Sequence, residues 1–243
     1  MFLPDLPFSF LSTLQVKTDE TYSLNSKTIM ELKDFEFTPA IRRTLNIFLM
    51  VDTSGSMAGE KIAAVNDAMR NIIPVINSIS ESNSEADIKM AVMTFNSTWN
   101  WMTSQPQLPS DFIWNDQTAG GMTALGQSCE ELDKRLSYKH GFLSSASGSY
   151  APVVILLSDG GPTDDFNAGM AQLEQNAWFR RAIRIAIAIG DDADIDVLET
   201  FAGNAELVFR VYNIDALKTA IRVAVVTSAI KLMYGYDGER SGR

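Results

Sequence analysis

The chain is poor in the residues from which many enzymes and metal centres are built. Its 243 residues include one cysteine, Cys129, and one histidine, His140. A single thiol closes no internal disulfide, and a structural zinc site needs more Cys and His than these two. A serine hydrolase would have one choice of base, and no Gly-x-Ser-x-Gly elbow is present. Positive charge is scarce as well, with 20 Lys and Arg against 30 Asp and Glu and a net charge of −10. That balance argues against a nucleic-acid binder, which needs a basic face to displace counterions from phosphates. The clusters Arg180, Arg181, Arg184 and Lys134, Arg135, Lys139 read as solvated helix flanks. No run reaches the roughly eighteen apolar residues of a membrane span. The opening "MFLPDLPFSFLSTL" lacks a basic start and is interrupted by Pro4, Asp5 and Pro7, which makes a poor secretory signal. The expected location is a reducing cytoplasm, with Cys129 a buried structural thiol.

Apolar residues make up 46% and charged residues 21%, ordinary shares for a globular chain able to bury a substantial core. Residues 1–43 alternate aromatic clusters with polar runs and are read as an N-terminal arm or extension of unassigned structure. From 44 to 232 the pattern is regular. "LNIFLMVD" has strand length and is mostly apolar, as expected of a strand buried on both faces. "EKIAAVNDAMRNIIPVINSIS" places Ile62, Val65, Met69, Ile72, Ile76 and Ile79 at helical spacing, with Pro74 removing one amide donor. "DIKMAVMTFNS" and "TWNWMTS" read as a hairpin, and "GMTALGQSCEELDKRLSY" as a second helix. "APVVILLSDG" repeats the apolar strand ending in a carboxylate. Then come a helix over about 166–179, the strand "IRIAIAIG", a helix near 194–202, the strand "AELVFRVY" and a helix over about 214–232. Residues 233–243 read as a flexible tail. Strands alternating with helices predict an α/β fold: a doubly wound, mainly parallel sheet with helices on both faces and one antiparallel edge strand.

In such sheets ligands bind at the carboxyl ends of the strands, near the point where strand order reverses. Asp52 and Asp159 both close apolar strands. Thr123 lies in the glycine-rich turn "AGGMTALG" that opens a helix. The segment "VDTSGSM" adds Ser54 and Ser56 directly after Asp52. Taken alone it is either a polar turn and helix cap or an oxygen-lined cradle. Gly55, Gly120 and Gly121 are expected to permit tight backbone turns without touching a ligand.

These three loops, in this order, resemble the metal-ion-dependent adhesion site of the von Willebrand factor type A family over about residues 45–232. The stretch "LLSDGGPTDDF" is similar to the bacterial branch associated with tellurium resistance and stress response. The resemblance implies metal binding by Asp52, Ser54, Ser56, Thr123 and Asp159, with the two carboxylates acting mostly through metal-bound waters and the serine hydroxyls. Mg²⁺ favours oxygen ligands and retains waters, so hydroxyls from Ser54, Ser56 and Thr123 suit it, with Mn²⁺ or Ca²⁺ as substitutes. Such a cation would be incompletely neutralised and would accept an Asp or Glu carboxylate from a protein partner. The resemblance further implies a cytoplasmic bacterial stress system containing a kinase and a phosphatase.

Enzymatic readings fare less well. An aspartic protease needs Asp-Thr-Gly, and Ser54 intervenes. A phosphoaspartyl hydrolase needs a carboxylate where Ser54 stands. The P-loop pattern is absent. A non-catalytic binding module is therefore expected, with a metal-dependent phosphohydrolase as the alternative. Three features stay open. Asp164 and Asp165 either rim the site or cap the following helix. "DDADIDV" alternates Asp192, Asp194 and Asp196 but has Val197 and Gly203 where a calcium loop needs Gly and Glu, and it reads as an acidic helix start. Trp99, Trp101 and Trp114 are either packed in an edge hairpin or exposed as a partner surface.

Overall fold

A computed structural model describes residues 42–83, 86–143 and 148–234. The expected arm over 1–43 and the expected tail over 233–243 fall almost wholly outside the described residues, and Met233 and Tyr234 belong to the last helix.

The first strand, β1 (Arg43–Asp52), is buried from Thr44 to Asp52. A strand with no solvent face must be covered on both sides, and this dictates the layering. α1 (Glu60–Ser82) follows, then β2 (Ala86–Phe95) and the short β3 (Trp99–Trp101). After a long loop come α2 (Leu125–Arg135), β4 (Val153–Ser158), α3 (Phe166–Leu173), α4 (Ala177–Arg181) and β5 (Ile183–Ile189). α5 (Ile195–Ala202), β6 (Val208–Val211) and α6 (Ile214–Tyr234) complete the described chain.

The six strands lie in the order β3-β2-β1-β4-β5-β6, parallel except for β3, which pairs antiparallel with β2. This is the expected fold class, with the antiparallel strand at the edge. Strand order reverses between β1 and β4, so the switch point lies where Asp52 and Asp159 emerge.

Alternate residues of β1 feed two cores. Leu45, Ile47, Leu49 and Val51 pack with Ile62, Val65, Met69, Ile72 and Ile76 of α1 and with Leu217, Ile221 and Val225 of α6. Phe48 and Met50 on the other face pack with Leu125, Cys129 and Leu132 of α2, Phe166 and Met170 of α3, and Phe201 of α5. Each fully buried Leu, Ile, Phe or Met contributes about 1.5–3 kcal/mol of transfer free energy. Cys129 is fully buried, and burial pushes its thiol pKa far up, as a structural thiol requires.

Several boundaries differ from expectation: the helix read over "GMTALGQSCEELDKRLSY" spans only Leu125–Arg135, and two other differences have a visible cause. The helix expected over 166–179 is two helices, because Asn176 caps a new start: its Oδ1 accepts from the amides of Trp178 and Phe179. The last strand is shorter than "AELVFRVY", since Ala205–Leu207 forms a 3-10 turn that Asn204 caps through the Glu206 amide. The tryptophans resolve toward packing. Trp101 meets Phe142 and Phe48 edge-on, and its Nε1 donates to the buried Glu131 at 3.0 Å. Trp114 donates to Asn66 at 3.2 Å, and Trp99 packs on the second core.

Candidate metal centre at the switch point

Asp52 is the last residue of β1 and has no exposed surface. Its Oδ1 accepts from the Ser54 amide at 2.8 Å, which folds the chain back on itself just past the strand. Its Oδ2 accepts from the Ser158 hydroxyl at 2.5 Å. Burial raises the Asp52 pKa above the ordinary carboxylate value, although the bonds from Ser158 and Ser54 oppose it.

From that turn a line of oxygens runs across the rim. The Ser54 and Ser56 hydroxyl oxygens are 3.0 Å apart, and Ser56 donates to Asp159 Oδ1 at 3.0 Å. Asp159 follows β4 directly and is 4% exposed. Four of the five sequence-predicted residues are thus joined through direct hydrogen bonds or the Asp52–Ser54 turn.

The Thr123 loop is joined to the cradle through its glycines, not through Thr123 itself. The Gly55 amide donates to Gly121 O at 3.1 Å and the Gly120 amide to Thr53 O at 2.9 Å, stitching the first loop to the second. The Thr123 amide donates to the Thr163 hydroxyl at 2.9 Å, and the Thr163 amide returns a bond to Thr123 O at 2.9 Å, which ties in the third loop. Thr123 is 4% exposed, and no hydrogen bond reaches its hydroxyl among the described residues. Gly121 has φ +84°, and a Cβ there would stand 2.6 Å from Ser97 Oγ. Gly55 opens the tight 3-10 turn Gly55–Met57 without a positive φ, and a Cβ there would lie 3.2 Å from Gly121 O.

The neighbouring acids are caps. Asp165 accepts from the Ala168 amide at the start of α3. Asp164 accepts from the amides of Gly126 and Gln127, so it caps α2, the preceding helix rather than the following one. Asp194 accepts from the Val197 amide at the start of α5, in keeping with an acidic helix start.

Three residues at the rim escaped the sequence reading. Ser158 is foreshadowed by strand register: Val51 pairs with Leu157, so Asp52 lies level with Ser158, one residue before Asp159. Thr163 needs the loop geometry. Lys61 carries the clearest signal, a cation in the first turn of α1, where the helix dipole disfavours positive charge. Its Nζ lies 2.9 Å from Asp159 Oδ2 and 2.6 Å from Asp192 Oδ1. Burial opposes the Lys61 charge, but the bonds to Asp192 and Asp159 outweigh it and raise its pKa; Asp192 is held below the usual carboxylate range by the same contact.

Every donor gathered here that could face a cation is an oxygen. Hydroxyls and carboxylates without nitrogen or sulfur suit a hard divalent ion, and one hydroxyl without a protein partner is the kind of group such an ion would satisfy. The residues fit the group.

A doubly wound, mainly parallel sheet with hydroxyls and acids from three loops at its switch point defines a Rossmann-like fold. The von Willebrand factor type A domain family model matches residues 46–223, and the chain belongs to that family. Among solved structures, the pilus adhesin SpaC from Lactobacillus rhamnosus GG aligns with TM-score 0.58 and 12% identity over 78% of this chain and 30% of its own. A von Willebrand factor type A protein from Catenulispora acidiphila aligns at 0.57 and 18% over 76% of this chain and 43% of its own. Proximal thread matrix protein 1 of the mussel byssus, described with a zinc-occupied MIDAS motif, aligns at 0.56 and 16% over 76% of this chain and 48% of its own. At these identities the likeness is one of fold, and the chain spans less than half of each of these proteins. Comparison with curated proteins finds no match. Among the described residues no helix is long and apolar enough to cross a membrane.

Proposed function

We propose that this chain is a non-catalytic, metal-dependent protein-interaction module that captures a partner's Asp or Glu carboxylate. The observation that carries the reading is the oxygen line from Ser54 through Ser56 to Asp159, with the Thr123 loop bonded to the same turn at Gly55 and Thr53. Ser54, Ser56 and Thr123 would hold a divalent cation, Mg²⁺ by preference. Asp52 and Asp159 would orient the hydroxyls and the waters that a hard cation retains. When bound, the cation supplies an electrophilic place for an incoming carboxylate oxygen.

The chain's own groups do the rest. Asp52 fixes the turn through the Ser54 amide, and Asp159 aligns the Ser56 hydroxyl. Both carboxylates of the cradle, Asp52 and Asp159, are engaged in holding it and so are poorly placed to serve as a general base. The mussel matrix protein, of similar fold and described with a zinc-occupied MIDAS motif, supports the reading of a divalent site. The resemblance of "LLSDGGPTDDF" to the tellurium-resistance branch of the family supports a role in a cytoplasmic bacterial stress system, beside a kinase and a phosphatase.

The test is calorimetric titration of Mg²⁺ into the protein and into the double variant Ser54→Ala, Ser56→Ala. The parent is expected to bind, and the variant to lose binding while keeping its circular dichroism spectrum. Equal affinities in the two proteins would refute the assignment. A pull-down with Mg²⁺ against chelator tests partner capture. Turnover of generic phosphoesters that disappears in Asp52→Ala would instead establish a phosphohydrolase.

A further inference from the structure

Lys61 stands where a lysine costs energy, and the structure is built around it. The ammonium occupies the first turn of α1, against the helix dipole, and its side chain is 18% exposed. Two carboxylates from different loops hold it: Asp159 Oδ2 at 2.9 Å and Asp192 Oδ1 at 2.6 Å. Gly190, with φ +94°, leaves room for it; a Cβ there would lie 2.6 Å from Lys61 Cε and 3.2 Å from Nζ. The two oxygens of Asp159 are thereby divided. Oδ1 faces the serine hydroxyls through Ser56, and Oδ2 is taken by the lysine from the protein side.

We propose that Lys61 is a positioning residue that sets the strength of the cation site: an internal counter-ion that claims one oxygen of Asp159 and lowers the affinity of the cradle for a divalent ion. This inference rests on the cation reading above. With half of Asp159 neutralised from behind, less protein negative charge falls on the cation, and more of its charge is left for a partner's carboxylate. Asp192 acts in the opposite sense. Its side chain is 69% exposed, and it draws part of the Lys61 charge away from Asp159. Lys61 therefore connects the cradle electrostatically to the loop between β5 and α5.

The two flanking charges give the proposal an unambiguous sign. Lys61→Met removes a positive charge beside the cradle and is expected to tighten Mg²⁺ binding about tenfold, an effect that shrinks as salt is raised. Asp192→Asn frees the lysine charge onto Asp159 and is expected to weaken Mg²⁺ binding about threefold. The substitution at Asp192 lies at an exposed side chain, so that variant keeps the test open if Lys61→Met folds poorly. Both are read by calorimetry with Mg²⁺ alone, after thermal unfolding in chelator shows a cooperative transition.

Opposite shifts in the two variants support the proposal. If Lys61 merely braces a loop, loosening it from either end weakens Mg²⁺ binding in both variants, and that result overturns the proposal. Unchanged affinity in both also overturns it. A parent protein that binds no Mg²⁺, Mn²⁺ or Ca²⁺ would overturn the underlying reading and this inference with it, whereas a binding parent with variants shifted in the same direction overturns the inference alone.

Discussion

Asp52→Asn tests whether the rim is held ready for charge at the expense of stability. Asp52 is fully buried, and burial raises its pKa, with the like charge of Asp159 adding to the effect. The nearby cation Lys61 bonds Asp159 and Asp192 instead. An asparagine amide can keep both contacts, because its oxygen can accept from the Ser54 amide as Oδ1 does now. Its NH₂ can donate to Ser158 Oγ, which also accepts from the Gly160 amide at 2.8 Å and has a second lone pair. The substitution thus removes a buried charge, at the cost of the acceptor that the Ser158 hydroxyl proton now has in Asp52 Oδ2.

In chelator at neutral pH, the variant is expected to exceed the parent by about 1–2 kcal/mol. That is what is left of the several kcal/mol cost of burying a carboxylate without a cation after about 1–3 kcal/mol for the Ser158 hydroxyl that loses its acceptor. For a chain of this size that is about 2–4 °C of melting temperature per kcal/mol. The pH dependence has a definite sign. An acid whose folded pKa lies above its unfolded value makes the parent lose stability as pH rises between the two. The gap between variant and parent should therefore widen from about pH 4 toward pH 7. Adding Mg²⁺ should reverse the order, since a ligand at a hundred times its Kd stabilises the parent by about 2.7 kcal/mol and the variant little. Calorimetric unfolding with and without Mg²⁺ measures all three. A variant no more stable than the parent in chelator at pH 7, or a gap that stays flat with pH, would refute the reasoning.

Two further substitutions probe the scaffold behind the site. Gly121→Ala meets a φ of +84° and a contact of 2.6 Å to Ser97 Oγ, the hydroxyl that accepts from the Met122 amide. It is expected to cost about 1–2 kcal/mol in urea unfolding, and no loss would show that the loop relaxes freely. Asn46 is 1% exposed in the middle of the sheet, and among the described residues neither of its amide atoms has a hydrogen-bond partner. Asn46→Leu should therefore stabilise the protein by about 1–3 kcal/mol, and a destabilised variant would show that this amide has a partner in solution.

Much of the architecture could be read from pattern alone, because burial is repetitive. β1 is covered on both faces and therefore apolar almost throughout, and α1 buries one stripe and repeats at three and four. Two of the misread boundaries share one cause. The break between α3 and α4 depends on Asn176, whose amide also donates to Asp133 and to Leu136 O from another helix. Nothing in "LEQNAWFRR" announces that tertiary bond, and helical propensity runs straight through it. The shortened β6 likewise turns on Asn204 capping a 3-10 turn that strand-like composition conceals.

The site divides along the same line. Asp52, Ser54 and Ser56 are legible because a two-residue spacing after a strand lets one turn bring all three together. Asp159 follows because a parallel sheet gathers strand ends at a common rim. Ser158 and Lys61 belong to a different class, since each acts through a partner about a hundred residues away. Ser158 requires the register of β1 against β4. Lys61 requires knowing that α1 starts beside the end of β4. A sequence pattern can show which oxygens stand close enough to share one ion. The charge those oxygens present to it is set by groups that only the fold brings near, and a lysine where the helix dipole resists one was the visible mark of that adjustment.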